Sequence, residues 1–151
     1  MRCVKPLLIA GLFLVAWSPW HAAWAGEQDQ GGSGPTAVVS LDGDQWLLAP
    51  DPKNVGRQEE WFKAPRPDAK KTKVPWIIQD AYPGYHGVAW YWRDVTVPAN
   101  GRAGARYLLR FWAVDYTAEV WLNGTRVGAH EGGESPFVLD VTQAARPGRP
   151  N

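Results

Sequence analysis

Two carboxylates, Glu131 and Glu134, lie in a segment whose composition suits ligand binding better than packing. The segment, residues 130–137, is polar and contains two consecutive glycines, so it is unsuited to a core element. It follows Asn123-Gly124, and this dipeptide between apolar runs is the strongest short-range hairpin signal, because a type I′ turn needs positive φ at both central residues. The sequence therefore predicts a binding rim on a rigid β scaffold.

Four further side chains are candidates for contact with a ligand. Asp115 and Tyr116 follow a predicted strand, where they either line a site or form a strand-end turn in which Asp115 bonds nearby backbone N–H groups. The turn is the favoured interpretation. Tyr85 and His86 belong to a turn-forming segment at residues 82–87, where we expect them to be accessible.

Short strands separated by turns must position these residues. No helical period is evident along the chain, which indicates an all-β sandwich. The long segment 51–73 is charged and contains three prolines, so it cannot be a central strand. We expect it to be a surface excursion, with one helical turn at 58–63 as the alternative. The predicted strands cover residues 37–40, 46–48, 88–97, 106–114, 118–122, 126–128 and 137–141.

The first 25 residues have the pattern of a cleavable signal peptide. Arg2 and Lys5 precede an apolar run of about 11 residues, and Ala23-Trp24-Ala25 matches an A-x-A cleavage site. The run is shorter than the roughly 20 apolar residues of a membrane span, although an uncleaved anchor is the alternative. We therefore predict a signal peptide at 1–25, a flexible linker at 26–36, and a secreted or periplasmic bacterial protein.

Charge and cysteine content narrow the range of partners. Removal of residues 1–25 takes Lys+Arg from 16 to 14 and leaves Asp+Glu at 15, so the net charge becomes 14 − 15 = −1. This balance gives no support to nucleic-acid binding, and no second apolar segment is long enough to span a membrane. The single cysteine, Cys3, lies in the signal peptide, so packing alone must stabilise the remainder. Seven of the ten tryptophans remain after cleavage, and we expect most of them in the core.

The chain resembles a known family in several separate segments. The longest is the run FWAVDYTAEVWLNGTRVGAHEGGESPFVLDV at residues 111–141, which contains the corner Ala113-Val114-Asp115-Tyr116. Weaker similarity is found in Leu41-Asp42-Gly43 with Trp46 and in Val74-Pro75-Trp76. These segments resemble the sugar-binding domain at the N-terminus of family 2 glycoside hydrolases, the β-galactosidase and β-glucuronidase group. The resemblance implies a galactose-binding-like jelly-roll β-sandwich at residues 37–151.

For the candidate site, the resemblance implies contact with carbohydrate. In some family members an acidic residue of this loop lies near the substrate. The resemblance therefore implies that the loop of Glu131 and Glu134 borders the substrate pocket of a catalytic barrel domain, where a carboxylate would accept a hydrogen bond from a sugar hydroxyl. The alternative is a solvated loop whose charges serve solubility. Family members often have an aromatic residue at the position of Glu134, so this chain departs from the pattern there. Asp115, Tyr116, Tyr85 and His86 complete the predicted substrate-binding set. Trp90, Tyr91 and Trp92 are a candidate stacking platform, although strand alternation must bury one set of these rings.

Hydrolysis and metal binding are not expected of this chain. A retaining glycosidase needs two carboxyl groups about 5–5.5 Å apart. In the family both glutamates lie in the later barrel, where the acid/base follows an asparagine, and no asparagine here precedes a glutamate. We therefore predict no catalytic residue. His86 and His130 lack a second ligand at a metal-site spacing, so we expect each to be a satisfied structural or surface histidine, and no metal or cofactor is predicted. Related sandwiches sometimes hold a structural Ca²⁺, which nothing in this sequence indicates.

The last residues resemble an internal turn of the family domain. Residues 147–151 are similar to the turn that precedes the closing strand of the sandwich, so we expect the chain to be part of a longer one. The first functional hypothesis is the non-catalytic sugar-binding domain of a secreted β-glycosidase, packed on its catalytic barrel. The alternatives are a stand-alone lectin-like module without hydrolase activity, and a structural β-domain without a ligand.

Overall fold

The computed structural model describes residues 36–99 and 104–151. The predicted signal peptide at 1–25 and linker residues 26–35 lie outside the described residues. The described part contains seven strands, a 3₁₀ turn at Trp61–Lys63 and one short helix, α1, at Ile78–Ala81. The strands are β1 Gly43–Pro50, β2 Lys70–Val74, β3 Ala89–Trp92, β4 Leu108–Phe111, β5 Thr117–Leu122, β6 Thr125–Glu131 and β7 Phe137–Asp140. The all-β prediction is confirmed; the sequence did not predict α1.

The first sheet is three-stranded, with β1 between β2 and β3 and both pairings antiparallel. Two predictions are wrong here: residues 37–40 form no strand, and residues 70–74 of the expected excursion do. β2 contains three lysines, which weaken a strand signal but suit an edge strand. The prolines of this segment precede β2, so they leave its hydrogen bonds intact.

The second sheet is the predicted hairpin of β5 and β6. Asn123 and Gly124 both have positive φ, 54° and 80°, as a type I′ turn requires. The Asn123 side chain donates a hydrogen bond to the Ala144 carbonyl (2.7 Å), which ties the turn to the chain after β7. β6 is longer than predicted and extends to Glu131 because its pairing with Thr117 continues the ladder.

The third sheet pairs β4 with β7 in antiparallel register. Exposure alternates along both strands, so that one side chain in two points inward. Phe111 faces Phe137 with 4.7 Å between ring centroids, and His130 of β6 lies on the other side of Phe137 at 4.2 Å. This three-ring stack joins the second and third sheets.

An aromatic cluster joins the first sheet to the hairpin. Trp90 of β3 lies 5.1 Å from Trp121 of β5, which in turn stacks on Phe62 at 5.5 Å. The indole N–H of Trp92 donates to the Trp61 carbonyl (2.7 Å). The segment after β1 is thus anchored by its aromatic residues, and the helical turn considered for 58–63 forms as a 3₁₀ turn.

None of the seven tryptophans after residue 25 is fully buried, contrary to the expectation that most of them lie in the core. Five of the seven are half-buried, but Trp76 and Trp112 are 52% and 71% exposed. The fully buried large side chains are instead Leu48 and Asp51. In the described residues no helix is long and apolar enough to cross a membrane.

The predicted turn at 147–151 is present. Gly148 has φ 71°, and Asn151 exchanges two backbone hydrogen bonds with Val95, at 2.8 and 3.0 Å. The Asn151 amide nitrogen also donates to the carbonyls of Arg146 and Arg149. The turn therefore returns the chain to the segment after β3.

Candidate functional site

The corner between β4 and β5 and the loop between β6 and β7 meet in one place. Gly132 donates a backbone hydrogen bond to the Tyr116 carbonyl (2.8 Å), and Glu131 is the ladder partner of Thr117. The peptide between Asp115 and Tyr116 is cis. We call Asp115, Tyr116, Glu131 and the loop 132–136 the rim.

Two glycines allow the loop to approach the corner this closely. Gly132 has φ +130°, which side-chain-bearing residues rarely adopt. At Gly133 an added Cβ would lie 3.0 Å from Oδ1 of Asp115, tighter than an ordinary contact. The double glycine that marked the loop in the sequence thus has a specific structural reason.

The rim rests on the three-ring stack. His130, predicted to lie in the loop, is in β6, and so is Glu131, so this part of the loop prediction is wrong. The expectation that His130 is a satisfied structural or surface histidine holds only in part. Its ring is half-buried on Phe137, but its Nε2 is shielded from solvent and finds no hydrogen-bond partner among the described residues.

The four predicted rim side chains are all exposed to solvent: Asp115, Tyr116, Glu131 and Glu134. Within residues 36–99 and 104–151, the three carboxylates take part in no ion pair and no side-chain hydrogen bond. Their oxygens are free to accept hydrogen bonds from a ligand's hydroxyl groups. A phenol ring beside them offers a flat apolar surface.

Tyr85 and His86 do not join the rim. The Tyr85 hydroxyl donates to the Val88 carbonyl (2.6 Å), and the Tyr85 carbonyl accepts a hydrogen bond from Gln79 (3.0 Å). These contacts hold Tyr85 half-buried against its own turn, contrary to the prediction that it is accessible, whereas His86 is exposed. No contact within the described residues links either one to the rim.

The three aromatic residues of β3 do not form one stacking platform, as the expected burial of one alternating set requires. Trp90 and Trp92 belong to the aromatic cluster, stacked at 6.3 Å. Tyr91 points to the opposite face, edge-on to Trp46. Strand alternation thus sends two of the three rings into the interior.

Sequence reasoning missed the buried carboxylate of Asp51. It accepts hydrogen bonds from the backbone of Val55 (2.9 Å) and Gly56 (2.8 Å) and from the Trp90 indole (3.1 Å). Burial alone would raise the pKa of Asp51, but the bonds from Gly56, Val55 and Trp90 outweigh it, so the pKa lies below its ordinary value. Asp51 acts structurally, and its position before Pro52 at a strand end is the turn signal that could have identified it.

Two hollows lie at the beginning of β1, away from the six predicted substrate-binding residues. The larger has a volume of about 540 Å³ and lies among β1, β2 and Asp80 of α1. The smaller, about 180 Å³, lies between β1 and the end of β3 near Pro65. Gln45 and Leu47 line both, although the rings of Trp46 and Trp92 lie on opposite faces of the first sheet. In the described part of the chain no three His, Cys, Asp or Glu residues form a group able to hold a metal ion.

Comparison with known proteins identifies relatives of the whole described region. The family model described as glycosyl hydrolases family 2, sugar binding domain, matches residues 38–150. A β-glucuronidase of Paenibacillus borealis is 39% identical over 111 residues, covering 70% of this chain and 18% of that protein. The β-glucuronidase of Canis lupus familiaris is 32% identical over 108 residues, covering 65% and 17%.

Solved structures give the same result. A Ruminococcus gnavus β-glucuronidase in complex with a C6-substituted uronic isofagomine matches with a TM-score of 0.67 and 30% identity. The match covers 74% of this chain and 20% of that one. The chain thus spans about a fifth of the length of the proteins it matches.

Proposed function

The chain belongs to glycosyl hydrolase family 2 through its sugar-binding domain, and we propose that it is the non-catalytic sugar-binding domain of a larger β-glucuronidase-type glycosidase. In this role it shapes one side of the substrate pocket and packs on a catalytic barrel domain. The full protein hydrolyses O-glycosyl bonds, with the β-glucuronides of its named relatives as the leading substrates.

The observation that carries this proposal is the closure of the double-glycine loop on the Asp115–Tyr116 corner. A hydrogen bond and a glycine contact fix the loop, and the hairpin ladder fixes Glu131 beside it. The three free carboxylates are therefore held by rigid elements at an accessible edge. Such pre-organisation is what a substrate-positioning surface requires.

Charge indicates which part of a sugar these carboxylates contact. A uronic-acid carboxylate would be repelled by Asp115, Glu131 and Glu134, whereas hydroxyl groups can donate to them. We infer that the rim orients sugar hydroxyls and that the substrate's own carboxylate lies away from it. Hydrogen bonds to ring hydroxyls that strengthen in the transition state contribute several kcal/mol, roughly, in glycosidases.

The same proposal assigns the bond-breaking step to the barrel. There, one carboxyl group protonates the leaving oxygen and a second attacks the anomeric carbon. The rim lowers the entropic cost of bringing substrate to those groups. The present chain alone is expected to release no product from an aryl β-glucuronide.

Export is part of the proposal and is supported by the sequence alone. The basic start, apolar run and A-x-A site of residues 1–25 have the order of a bacterial signal peptide. A secreted or periplasmic enzyme would meet glycosides outside the cytoplasm. N-terminal sequencing of the exported protein should find Gly26 first.

One observation favours the second candidate function, a module that binds carbohydrate by itself. The hollows at the start of β1 are open to solvent and are lined by residues of this chain alone. A lectin-like role would use such a hollow and would need no barrel.

A chimera provides the test of the principal proposal. Residues 38–150 replace the matched segment of the Paenibacillus borealis β-glucuronidase, and hydrolysis of an aryl β-glucuronide is measured. We expect the chimera to hydrolyse the substrate. The double variant Glu131→Gln/Glu134→Gln should lower kcat/KM about tenfold or more, because hydrogen bonds to charged groups contribute about 1.5–3 kcal/mol.

The matched control is Glu60→Gln, which neutralises an exposed carboxylate outside the rim. It should leave kcat/KM unchanged. A folded chimera without activity, or equal kinetics for the double variant and the parent chimera, would contradict the role of the rim.

A further inference from the structure

The third sheet, β4 with β7, has one covered face and one open face. Its inward side chains include Phe137, in the three-ring stack, and Leu139, which fills the space that a Cβ at Gly128 of β6 would occupy. The outward side chains of both strands are exposed. Together with the residue that follows β4 they form what we call the outer face: Leu108, Arg110, Trp112, Val138 and Asp140.

The register of the two strands makes the outer face continuous. Arg110 is the ladder partner of Val138, and Leu108 is the partner of Asp140. Ladder partners lie side by side on one face of a sheet. The guanidinium carbon of Arg110 lies 5.4 Å from the ring centroid of Trp112, so the indole extends the same face beyond the end of β4.

The outer face is apolar for a surface exposed to water. Leu108, Trp112 and Val138 are 55%, 71% and 46% exposed. An apolar patch with polar residues around it is typical of a surface that another body covers. Tryptophan and arginine are the side chains most enriched in the energetically important centre of protein interfaces, and Trp112 and Arg110 are in contact here.

The charges of the outer face favour a partner that supplies a carboxylate. At one end Arg106 donates two hydrogen bonds to Oδ2 of Asp140, at 2.8 and 3.1 Å, so these two charges neutralise each other. Arg110 belongs to no ion pair within residues 36–99 and 104–151. A complementary surface would therefore be apolar and would present a carboxylate to this guanidinium.

The size of the outer face favours a partner on the same chain over a separate molecule. Two strands of four residues each cover roughly 13 by 10 Å. Stable complexes of separate proteins bury about 800 Å² on each partner, several times this area. A domain linked to this one needs less contact, because the link provides an effective concentration in the millimolar range, roughly.

The outer face is also continuous with the rim. β4 leads into the corner of Asp115 and Tyr116, and β7 begins directly after the loop 132–136. A body that lies opposite the rim and closes a substrate pocket there would reach the adjoining outer face. The matched relatives are about five times longer than the matched part of this chain, which leaves room for such a body.

We propose that the outer face of β4 and β7 is the surface on which the catalytic barrel domain packs, with Trp112 as its main apolar anchor and Arg110 paired with a barrel carboxylate. This inference rests on the proposed function and deepens it, because it names the surface that joins the two domains. Packing there would fix the distance between the rim and the barrel, and so the width of the pocket between them.

The test is the accessibility of an introduced cysteine in the 151-residue protein and in the chimera with the Paenibacillus borealis enzyme. Val138→Cys places a thiol on the outer face, and Ile77→Cys places one at an apolar position that is 62% exposed and lies outside it. The reaction with a maleimide is followed at the introduced cysteine by peptide mass spectrometry, so other cysteines do not interfere.

We expect Val138→Cys to react about tenfold or more slowly in the chimera than in the 151-residue protein, because a face covered about nine-tenths of the time is open to the reagent only in the remainder. Ile77→Cys, the matched control, should react at the same rate in both proteins.

The contact itself is tested by Trp112→Ala in the chimera that contains Val138→Cys. Loss of the anchor should bring the reaction to within about threefold of its rate in the 151-residue protein, since a few aromatic anchors carry most of the energy of an interface. The matched control is Trp76→Ala, which removes another exposed indole, outside the outer face, and should leave the protection unchanged.

Three results would overturn the inference. They are equal rates for Val138→Cys in the two proteins, equal protection of Ile77→Cys in the chimera, and a reaction of Val138→Cys that is already slow in the 151-residue protein and slows further with its concentration. The last result would assign the outer face to contact between two copies of this chain.

Hydrolysis of the aryl β-glucuronide is measured on the same chimeras and reports on the proposed function separately. An active chimera in which Val138→Cys reacts freely contradicts this inference alone. A folded but inactive chimera contradicts the proposed function, and its labelling rate still shows whether the outer face is covered.

Discussion

The rim and the two hollows at the start of β1 present polar groups to solvent in different ways. The rim offers carboxylates only, at an exposed corner held by glycine contacts and a hairpin ladder. The hollows are open and are lined by cations, carboxylates and indoles. A corner that carries one sign of charge repels an anionic ligand and needs an opposing surface to enclose a neutral one, whereas the lining of the hollows is mixed in charge.

Both regions nevertheless rest on the same aromatic cluster. Trp90 contacts Trp121 of the hairpin on one side and Trp61 and Trp92 on the other, and Trp92 lines the smaller hollow. Its indole also donates to the buried carboxylate of Asp51. A substitution in this cluster should therefore destabilise both regions, whereas a substitution elsewhere should affect only one of them.

The largest effect is expected from Trp90→Ala. Loss of the ring opens a cavity and leaves Asp51 with one hydrogen bond fewer, so the free energy of unfolding should fall by about 3–5 kcal/mol. Urea denaturation followed by circular dichroism measures this. The control is Trp112→Ala, whose ring is 71% exposed and should cost far less. Equal losses in the two variants would show that the cluster does not support both regions.

A smaller effect, confined to the rim, is expected from Gly132→Ala. The backbone at φ +130° suits glycine, and a strained residue costs of the order of 1–3 kcal/mol. Amide chemical shifts should change around residues 115–117 and 130–136 and remain unchanged at residues 44–47 of β1. Ser135→Ala, in the same loop, is the control and should be nearly neutral. Chemical-shift changes that extend to β1 would show that the two regions are not structurally independent.

Low pH should remove the stabilising contribution of two carboxylates, those of Asp140 and Asp51. The pKa of Asp140, at the end of β7, is held at about 2 by hydrogen bonds from Thr142 and Arg106, and the pKa of Asp51 is also below its ordinary value. A lowered pKa in the folded state contributes stability that is present above the ordinary value of 3.8 and is lost as the pH falls through the folded-state value.

We therefore expect stability to decline from about pH 4 downward. Asp140→Asn should make the decline between pH 4 and pH 2 shallower, with urea midpoints as the measure. A steeper decline in Asp140→Asn would contradict this assignment. The exposed Asp94→Asn variant, outside these hydrogen bonds, is the control.

The smallest effect on stability is expected from the rim carboxylates themselves. Glu131→Gln/Glu134→Gln should change the free energy of unfolding of the 151-residue protein by no more than about 0.5 kcal/mol, because both side chains are exposed and unpaired in the described structure. A large loss in urea denaturation would give these residues a structural role and remove the basis for a binding rim.

Local signals predicted part of the molecule well. Asn123-Gly124 specified the hairpin, since the turn chemistry lies in two adjacent residues. The strand at 70–74 was missed because its lysines resemble a solvated loop until β1 pairs with it. Tyr85 was misjudged because its hydroxyl finds a partner three residues away.

The candidate sites also differ in how far the sequence predicted them. Asp115, Tyr116, Glu131 and Glu134 were found from loop composition and family resemblance, and the structure brings the two stretches together. The two hollows at the start of β1 are lined by residues 44–47, 71–73, 80 and 92–94, which only the pairing of β1 with both neighbours assembles. No local pattern in the sequence encodes such a site.

The most direct measurement is to sequence the gene beyond the codon for Asn151. A sugar-binding domain of a larger glycosidase requires the frame to continue through a β-branched strand into a barrel domain that contains an Asn-Glu pair. That continuation is the result we predict. A stop codon immediately after Asn151 would contradict the glycosidase role, and carbohydrate binding by this chain alone would then be the function to pursue.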